Sequence, residues 1–226
     1  MRIALCLSGF ARSFNTTYKL LLNNLLLPFR PDVFIHTWDR LDRRMNKPVN
    51  LQSLQQMYEP KAMKIESYPI EFLITEKMEK SGRDNNGIMS MFYKTRACND
   101  LKKAHELQHG FKYDCVIRCR FDLRLEQRFS PGDLSRLNIP MYGDFAGVND
   151  QLAWGNSLVM DEYSSLFTKI YTLAEEVDFV PEFLLKRHLE RCGMEVNRPA
   201  LRYKLIRMDG EILDNETRER AWGLIK

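Results

Sequence analysis

The segment YDCVIRCRFDLRL, from Tyr113 to Leu125, decides the fold because an apolar strand here runs into a cluster of charged residues. In a β-strand, alternate side chains fall on opposite faces. One face is apolar and consists of Cys115, Ile117, Cys119 and Phe121. The other face consists of Val116, Arg118, Arg120 and Asp122. Charges at the exit of a central strand are costly to desolvate without a partner, so we expect a ligand, a metal ion or an internal Arg–Asp salt bridge there.

Length and composition predict one globular domain. The chain has 226 residues, of which 44% are hydrophobic and 28% are charged, enough to bury a full core. The formal net charge of +4 is too small and too dispersed to indicate nucleic-acid binding. It suits a site that holds an anionic substrate.

Cysteine usage and the hydrophobic segments predict a cytoplasmic protein. The five cysteines are odd in number and irregularly spaced, which favours reduced thiols in a reducing compartment. The apolar run at the N-terminus is too short for a signal peptide, and Asn23 and Asn24 interrupt the leucine-rich segment that follows. We therefore expect no segment that crosses a membrane.

Short apolar strands alternate with helical segments, which is the pattern of an open α/β sheet. Residues 77–87 carry the strongest loop signal, and residues from Asp214 onward are expected to form a polar helix or tail. Besides the segment at 113–125, the predicted strands are 3–7, 32–38, 63–68 and 202–208. The predicted helices are 16–27, 51–58, 88–109, 158–176 and 181–192.

Polar residues follow the predicted strands at their carboxyl ends, the edge where ligands bind in open α/β sheets. Neither the GxGxxG fingerprint nor the GxxxxGK[ST] loop is present, which disfavours hydride transfer and Walker-type ATP hydrolysis. The residues at this edge are Ser8, Gly9 and Arg12 after the first strand, 36–39 after the second, and Arg120 and Asp122 at the key strand.

Six segments, taken in order, resemble small glycosyltransferases of the GT-A fold. They are IALCLSGFARSF, DVFIHTWD, FYKTRACNDLKKA, YDCVIRCRFDL, GVNDQLAWGNSLVM and PEFLLKRHL. Such enzymes are encoded in bacterial surface-polysaccharide clusters and in some large DNA viruses, so the cytoplasm would be that of a bacterium or of a viral host. The resemblance implies a single domain, 1–226, with an open, mostly parallel mixed sheet flanked by helices. Residues 1–125 would bind the nucleotide sugar, and residues 126–226 would form the acceptor side.

The activity implied by the resemblance is transfer of a sugar from a nucleotide diphosphate donor, a UDP-sugar, onto a glycan acceptor in polysaccharide or glycoprotein synthesis. In GT-A enzymes a DxD motif holds Mn²⁺ or Mg²⁺ against the diphosphate. The matching residues here are Arg120, Phe121 and Asp122, so Asp122 would be the main metal ligand. Arg120 would neutralise phosphate directly or orient Asp122, since a metal or arginines can each stabilise the leaving group.

The same resemblance places further residues near the donor. They are Ser8, Gly9, Arg12 and Asp39, together with Lys94 and Arg96 on the helix before the key strand. A solvated helix face is the more frequent setting for Lys94 and Arg96, and a core position is favoured for His36 and for Trp154.

An inverting transfer needs a carboxylate that deprotonates the acceptor hydroxyl. Asp150, in the turn GVNDQ, is the first candidate, and an Asx turn that only closes the loop is the alternative. Glu182 is the second candidate, although helix capping explains it equally well. His188 is a candidate for an added metal ligand.

Three alternatives to a stand-alone glycosyltransferase stay open at this stage, and one of them, suggested by the compact size, is a module of a longer multi-enzyme polypeptide. A related nucleotidyl or phospho-sugar enzyme could use the same cleft. A catalytically degenerate module that binds nucleotide or glycan is favoured by the missing first Asp of the DxD motif, and measurable donor hydrolysis distinguishes it from an enzyme.

Overall fold

The computed structural model describes residues 1–225, and a seven-stranded mixed sheet forms its centre. In chain order the strands are β1 (Ile3–Gly9), β2 (Asp32–Trp38), β3 (Arg40–Asp42), β4 (Met45–Pro48), β5 (Ala62–Glu66), β6 (Cys115–Cys119), β7 (Leu123–Leu125), β8 (Leu137–Asn138), β9 (Leu152–Gly155), β10 (Val196–Asn197), β11 (Tyr203–Ile206) and β12 (Ile212–Leu213). The order in the main sheet is β10-β8-β9-β6-β1-β2-β5. Only β9 runs antiparallel to its neighbours, so the sheet is mostly parallel, as predicted.

Helices flank both faces of this sheet. They are α1 (Phe14–Leu21), α2 (Leu27–Phe29), α3 (Leu51–Tyr58), α4 (Glu76–Glu79), α5 (Asn85–His109), α6 (Ser157–Ser164), α7 (Ile170–Glu176), α8 (Pro181–Arg191) and α9 (Asn215–Ala221). A π-helical turn, Leu22–Leu26, joins α1 to α2, and a 3-10 turn, Ser165–Lys169, joins α6 to α7. Within residues 1–225, no helix is both long enough and apolar enough to span a bilayer.

Several predicted bounds need correction. The key segment is not one strand, because β6 ends at Cys119 and β7 pairs with β11 in a separate three-stranded sheet. The predicted loop at 77–87 contains most of α4, whose first turn is capped by Thr75. The first helical segment does not stop at Pro28 but continues to Phe29. Pro28 has no N–H and cannot donate to the Asn24 carbonyl one turn earlier. That carbonyl instead accepts from the backbone N–H of Phe129 at 3.0 Å.

The two faces predicted for the key strand are confirmed. Its apolar side chains pack in one buried cluster with β1, β2 and α1, whereas Val116 packs in a second cluster with α5 and α8. A central parallel strand is covered on both faces in this way. Each fully buried Leu, Ile or Phe in these clusters contributes about 1.5–3 kcal/mol. The charges that follow β6 are therefore held at a rigid sheet edge.

The strand order reverses beside β1. The chain runs from β1 to β2 and then to β5 on one side, whereas β6 pairs with the other side of β1. Beyond the carboxyl ends of parallel strands, such a reversal opens a crevice, which is the usual ligand site in open α/β sheets. β8, β9 and β10 come from the second half of the chain and extend the same sheet.

Candidate functional site

A cleft of about 430 Å³ opens at this reversal. The ends of β1, β2 and β6 form its floor, and the first turns of α5 and α8 form its walls. The lining residues are Ser8, Gly9, Phe10, Arg12, Trp38, Arg43, Arg83, Asp84, Gly87, Ile88, Ser90, Met91, Arg118, Arg120, Asp122, Pro181, Glu182 and Arg207.

Arginine dominates the charge of this cleft. Six arginines line it against three carboxylates, so its formal charge is positive. Burial, and then repulsion from Arg120, lowers the pKa of both Arg12 and Arg207 below the usual value of 12.5. Guanidinium groups that repel one another in a partly desolvated cleft attract an anionic ligand.

Arg120 and Asp122 form a bidentate ion pair. The Arg120 Nε donates to Asp122 Oδ1 at 2.8 Å, and its terminal nitrogen donates to Oδ2 at 2.7 Å. Burial raises the pKa of Asp122, but Arg120, Arg12 and Arg207 more than offset this, so the pKa lies below its usual value. The internal salt bridge expected from the sequence is therefore present, and it positions Arg120 at the cleft.

The surroundings of Asp122 are a poor fit for a divalent cation. Both carboxylate oxygens already accept from Arg120, and a third guanidinium nitrogen, from Arg12, lies 3.8 Å from Oδ2. Mg²⁺ and Mn²⁺ bind through oxygen ligands, commonly one or two carboxylates with substrate phosphates, and a carboxylate already engaged by guanidinium groups is a weaker ligand. The contact between Arg120 and Asp122 matches the second of the two roles expected for Arg120, the orientation of Asp122, and Arg120 still lines the cleft.

Three buried polar groups in the cleft lining lack a partner within the described residues. They are the Ser8 hydroxyl, the Ser90 hydroxyl and the Nε of Arg118. All three residues are at most 3% exposed. The other end of the Arg118 guanidinium donates to the backbone carbonyl of Asp150. An unsatisfied buried donor costs about 1–3 kcal/mol, so these groups are available to bind a ligand or ordered water in the cleft.

The turn after β1 brings backbone close to this cleft. Gly9 has φ +102°, which a residue with a side chain rarely adopts, and a Cβ at this position would meet nothing within 4 Å. The Gly9 carbonyl accepts from the Thr37 hydroxyl at 2.8 Å, which joins the ends of β1 and β2. The expected approach of ligand to Ser8 and Gly9 is therefore sterically open.

Glu182 lies in the cleft wall, in the first turn of α8. Burial, followed by repulsion from Asp150, raises its pKa from 4.5 to about 7. The positive end of the helix dipole opposes this shift, so burial and the second carboxylate dominate. A carboxylate that titrates near neutral pH is suited to accept a proton from a substrate hydroxyl.

Asp150 lies behind Glu182 and outside the cleft lining. It is 5% exposed, and its charge acts on both Glu182 and Arg120. The Asx turn considered for this loop is made by Asn149, whose side-chain oxygen accepts from the Gln151 N–H at 2.8 Å. The structure therefore brings the two candidate carboxylates together, with Glu182 facing the cleft.

The loop that carries Asp150 is fastened from both sides. Gly147 passes so close to α8 that a Cβ there would lie 2.3 Å from the backbone carbon of Glu182, and the Val148 N–H donates to the Glu182 carbonyl at 3.0 Å. On the other side, Glu219 of α9 accepts from the backbone N–H of Asp144 at 2.7 Å and of Phe145 at 2.9 Å. Helix α9 thus holds the start of the loop that leads to Asp150.

Comparison with known families gives one match. The model of a domain of unknown function, DUF7796, matches residues 1–177. The chain belongs to the DUF7796 family. Curated proteins give no match. The matched part of this DUF7796 protein carries the floor of the cleft and Asp150, whereas Glu182 and Arg207 lie beyond it.

Three of the predicted donor residues of the DUF7796 protein lie outside the cleft lining. Asp39 accepts from the Tyr68 N–H at 3.1 Å, and Arg96 pairs with Asp100 at 3.6 Å on the exposed face of α5. Lys94 is completely buried, so the expected solvated face is wrong for this residue. Its ammonium donates to the Thr37 carbonyl at 3.0 Å and to Glu66 at 2.8 Å, and burial lowers its pKa to about 8.

The core positions favoured for two residues are confirmed. His36 is 1% exposed, and burial, with repulsion from Lys94, lowers its pKa to about 4. Trp154 is also buried, and its indole N–H donates to the Pro131 carbonyl at 2.7 Å. His188 lies on α8 more than one helical turn beyond Glu182 and outside the cleft lining. Its Nε2 lies 2.9 Å from the Glu162 carbonyl oxygen.

Sequence reasoning missed several residues of the cleft. Arg118 was on the polar face of the key strand, so its period-two position was the available signal. Ser90, Arg43, Arg83 and Arg207 lie on three other segments and carried no local signal. Only the path of the chain brings them to one edge of the sheet.

We predict that Glu182→Gln stabilises the protein at high pH. The unfolded carboxyl group ionises near pH 4.5 and the folded one near pH 7, so folding is disfavoured as pH rises between these values. The variant should match the wild type below pH 4.5 and exceed its free energy of unfolding above pH 7, by at most about 3 kcal/mol. Thermal unfolding across this pH range measures the difference.

The matched control is Glu190→Gln, at an exposed position of the same helix. It should change the free energy of unfolding by less than about 0.5 kcal/mol at every pH. A Glu182→Gln protein less stable than the wild type above pH 7 would show that the ionised carboxylate makes stabilising contacts, contrary to the raised pKa.

Proposed function

We propose that this protein is a glycosyltransferase with a GT-A-like fold, which moves a sugar from a nucleotide diphosphate donor, a UDP-sugar, onto a glycan acceptor. The observation that carries the proposal is the arginine-lined cleft at the strand reversal, with unpartnered buried donors in its lining. Guanidinium groups bind phosphate in a bidentate manner and remain charged at all relevant pH values. A nucleotide with two phosphates matches both the charge and the position of this cleft.

The arginines account for departure of the leaving group. As the bond between the sugar carbon and the diphosphate oxygen breaks, the electron pair stays on the diphosphate, and its negative charge grows. Arg118 and Arg120 at the end of β6, with Arg12 and Arg207 beside them, lie where this charge would form. Fixed positive groups in a partly desolvated cleft stabilise such charge without reorganisation.

Glu182 is proposed as the general base. The acceptor oxygen forms the new bond to the sugar carbon, and its proton passes to the Glu182 carboxylate. A pKa of about 7 lets this group be ionised at neutral pH and still accept a proton readily. Asp150 acts through Glu182, because its charge helps to raise that pKa.

A divalent cation remains part of the expectation from the GT-A resemblance, with Asp122 as its main ligand. The bidentate pair with Arg120 favours a cleft that works without it. The cytoplasmic location is likewise proposed, and the five free thiols of the described chain are in keeping with a reducing compartment.

Calorimetric titration with UDP, GDP and their sugar conjugates tests the proposal. We expect one nucleotide diphosphate to bind, with the same affinity in Mn²⁺ and in EDTA. Binding that disappears in EDTA would assign the charge-neutralising role to a metal at Asp122. No heat with any nucleotide at millimolar concentration would rule out the donor site.

A catalytically inactive nucleotide-binding module is the second candidate. The observation that favours it is the engagement of Asp122 by Arg120, since neither residue then resembles the metal-binding pair of the DxD motif. Incubation with the donor that binds separates the two candidates. Release of free sugar or transfer to an acceptor supports the enzyme, whereas an intact donor supports the module.

A further inference from the structure

A second cluster of potential ligands lies where α6 meets α8. Glu162 comes from α6, whereas His188 and Cys192 come from α8 and its C-terminal cap. None of the three is among the described residues that line the arginine cleft. The cluster is therefore independent of the proposed glycosyltransferase activity, and so is the inference drawn from it.

The three ligand atoms have the spacing of a metal site. The Cys192 sulfur lies 3.0 Å from Glu162 Oε1 and 3.7 Å from His188 Nδ1, and all three atoms lie within 4.8 Å of one another. In a tetrahedral zinc site, ligand atoms at the usual bond lengths are separated by roughly 3.3–3.7 Å. A cation could therefore contact all three after side-chain shifts of about 1 Å or less.

His188 is already oriented as a ligand. Its Nε2 lies 2.9 Å from the Glu162 carbonyl oxygen, to which Nε2–H donates, so Nδ1 keeps a lone pair on the side of Cys192. Such a bond to the second ring nitrogen fixes ring orientation in metal sites. Positions 188 and 192 are four residues apart and share one helix face.

The ammonium of Lys169 lies where a metal ion would bind, so it competes with the ion for this space. Its ammonium lies 2.9 Å from Glu162 Oε1 and 3.5 Å from the Cys192 sulfur. The side chains of Lys169 and Glu162 are 42% and 44% exposed. An exposed pair of this kind contributes little, so the lysine can move into solvent at small cost. A divalent cation would then replace one positive charge with two.

We propose that Glu162, His188 and Cys192 bind Zn²⁺, with water in the fourth position, and thereby fasten α8 to α6. The set of one carboxylate oxygen, one imidazole nitrogen and one thiolate sulfur is characteristic of zinc. On binding, the Cys192 thiol releases its proton to solvent and the sulfur forms a bond to the metal. Because Glu182 lies in the first turn of α8, the ion would also stiffen one wall of the cleft.

Cobalt titration of the full chain under reducing conditions tests this site. Co²⁺ substitutes for Zn²⁺, and a bond to thiolate produces a sulfur-to-cobalt charge-transfer band in the ultraviolet. We expect a saturable band of one equivalent that Zn²⁺ abolishes by displacement. Of the five cysteines, all described, the other four are buried, so the band reports on Cys192. Absence of the band in the folded wild type would overturn the proposal.

Four variants separate metal binding from a salt-bridge network. Cys192→Ser and His188→Gln should lose the band, and Lys169→Met should tighten cobalt binding by at most about fivefold because the competing ammonium is gone. Glu190→Gln, exposed on α8, should behave as the wild type. Melting curves with and without Zn²⁺ accompany each variant, because a bound metal raises the unfolding midpoint. Zinc stabilisation retained in folded Cys192→Ser would place the ion elsewhere and refute the assignment.

Discussion

Replacing Arg118 with methionine is expected to weaken binding of the nucleotide diphosphate by at least about 30-fold while leaving the unfolding midpoint nearly unchanged. Loss of a buried charged hydrogen bond to a ligand costs about 2–5 kcal/mol, which corresponds to this loss of affinity or more. Stability should change little, because removal of a buried Nε that lacks a protein partner offsets loss of the bond from Arg118 to the Asp150 carbonyl. Functional groups are often held at such a cost to stability.

Calorimetry with the nucleotide that binds the wild type measures the first effect, and thermal unfolding measures the second. Arg136→Met is the matched control, since Arg136 is 53% exposed and lies outside the cleft lining. Arg118→Lys keeps the charge but loses the planar donor pair, so we expect an intermediate affinity. Unchanged affinity in folded Arg118→Met would exclude the floor of this cleft as the phosphate site.

The largest effect on stability is expected for Lys102→Met. Lys102 is completely buried, and its ammonium donates to Ser157 at 2.7 Å, to Asp161 at 2.8 Å and to Glu106 at 3.2 Å. Removing one partner of a buried ion pair costs about 3–5 kcal/mol because the other charge is left uncompensated. We expect about 3 kcal/mol, since Lys112 still pairs with Glu106 at 2.9 Å. The unfolding midpoint should fall by about 6–12 °C.

The neighbouring Lys103→Met provides the control for this prediction. Lys103 is exposed on the same helix, so its free energy of unfolding should change by less than about 0.5 kcal/mol. The double variant Lys102→Met with Glu106→Gln should recover part of the lost free energy of unfolding, because one of the carboxylates left without its lysine partner is replaced by a neutral amide. An unchanged midpoint in Lys102→Met would mean that water solvates the carboxylates left by Lys102. It would also mean that the packing of α5 against α6 does not depend on the ammonium of Lys102.

The cleft combines residues inside and outside the family match. Its floor, with Ser8, Arg118 and Arg120, falls within residues 1–177, whereas Glu182 and Arg207 come later in the chain. Most of the proposed phosphate-binding residues therefore lie in the matched part, and Arg207 adds to them from beyond it. Turnover then also requires α8 and the loop that α9 fastens.

Local patterns were sufficient for much of the fold. The strand Asp32–Trp38 and the helix Leu51–Tyr58 have the predicted bounds, and the two faces of the key strand are confirmed. These features depend on hydrophobic period and on neighbouring residues, which the linear sequence contains. The helix break at Ser165–Lys169 was not predicted, because the amphipathic pattern continues through it.

The sequence by itself determined that this chain forms an α/β sheet and that Arg120 and Asp122 lie at the end of a central strand. Their pairing also followed from the sequence as one of the alternatives, since the two residues are close along the chain. Only the tertiary structure decided that Lys94 is buried, that Asp150 stands behind Glu182, and that Glu162 meets His188 and Cys192. These contacts join segments far apart in sequence, and burial and pKa depend on every element packed around a group, which no local pattern specifies.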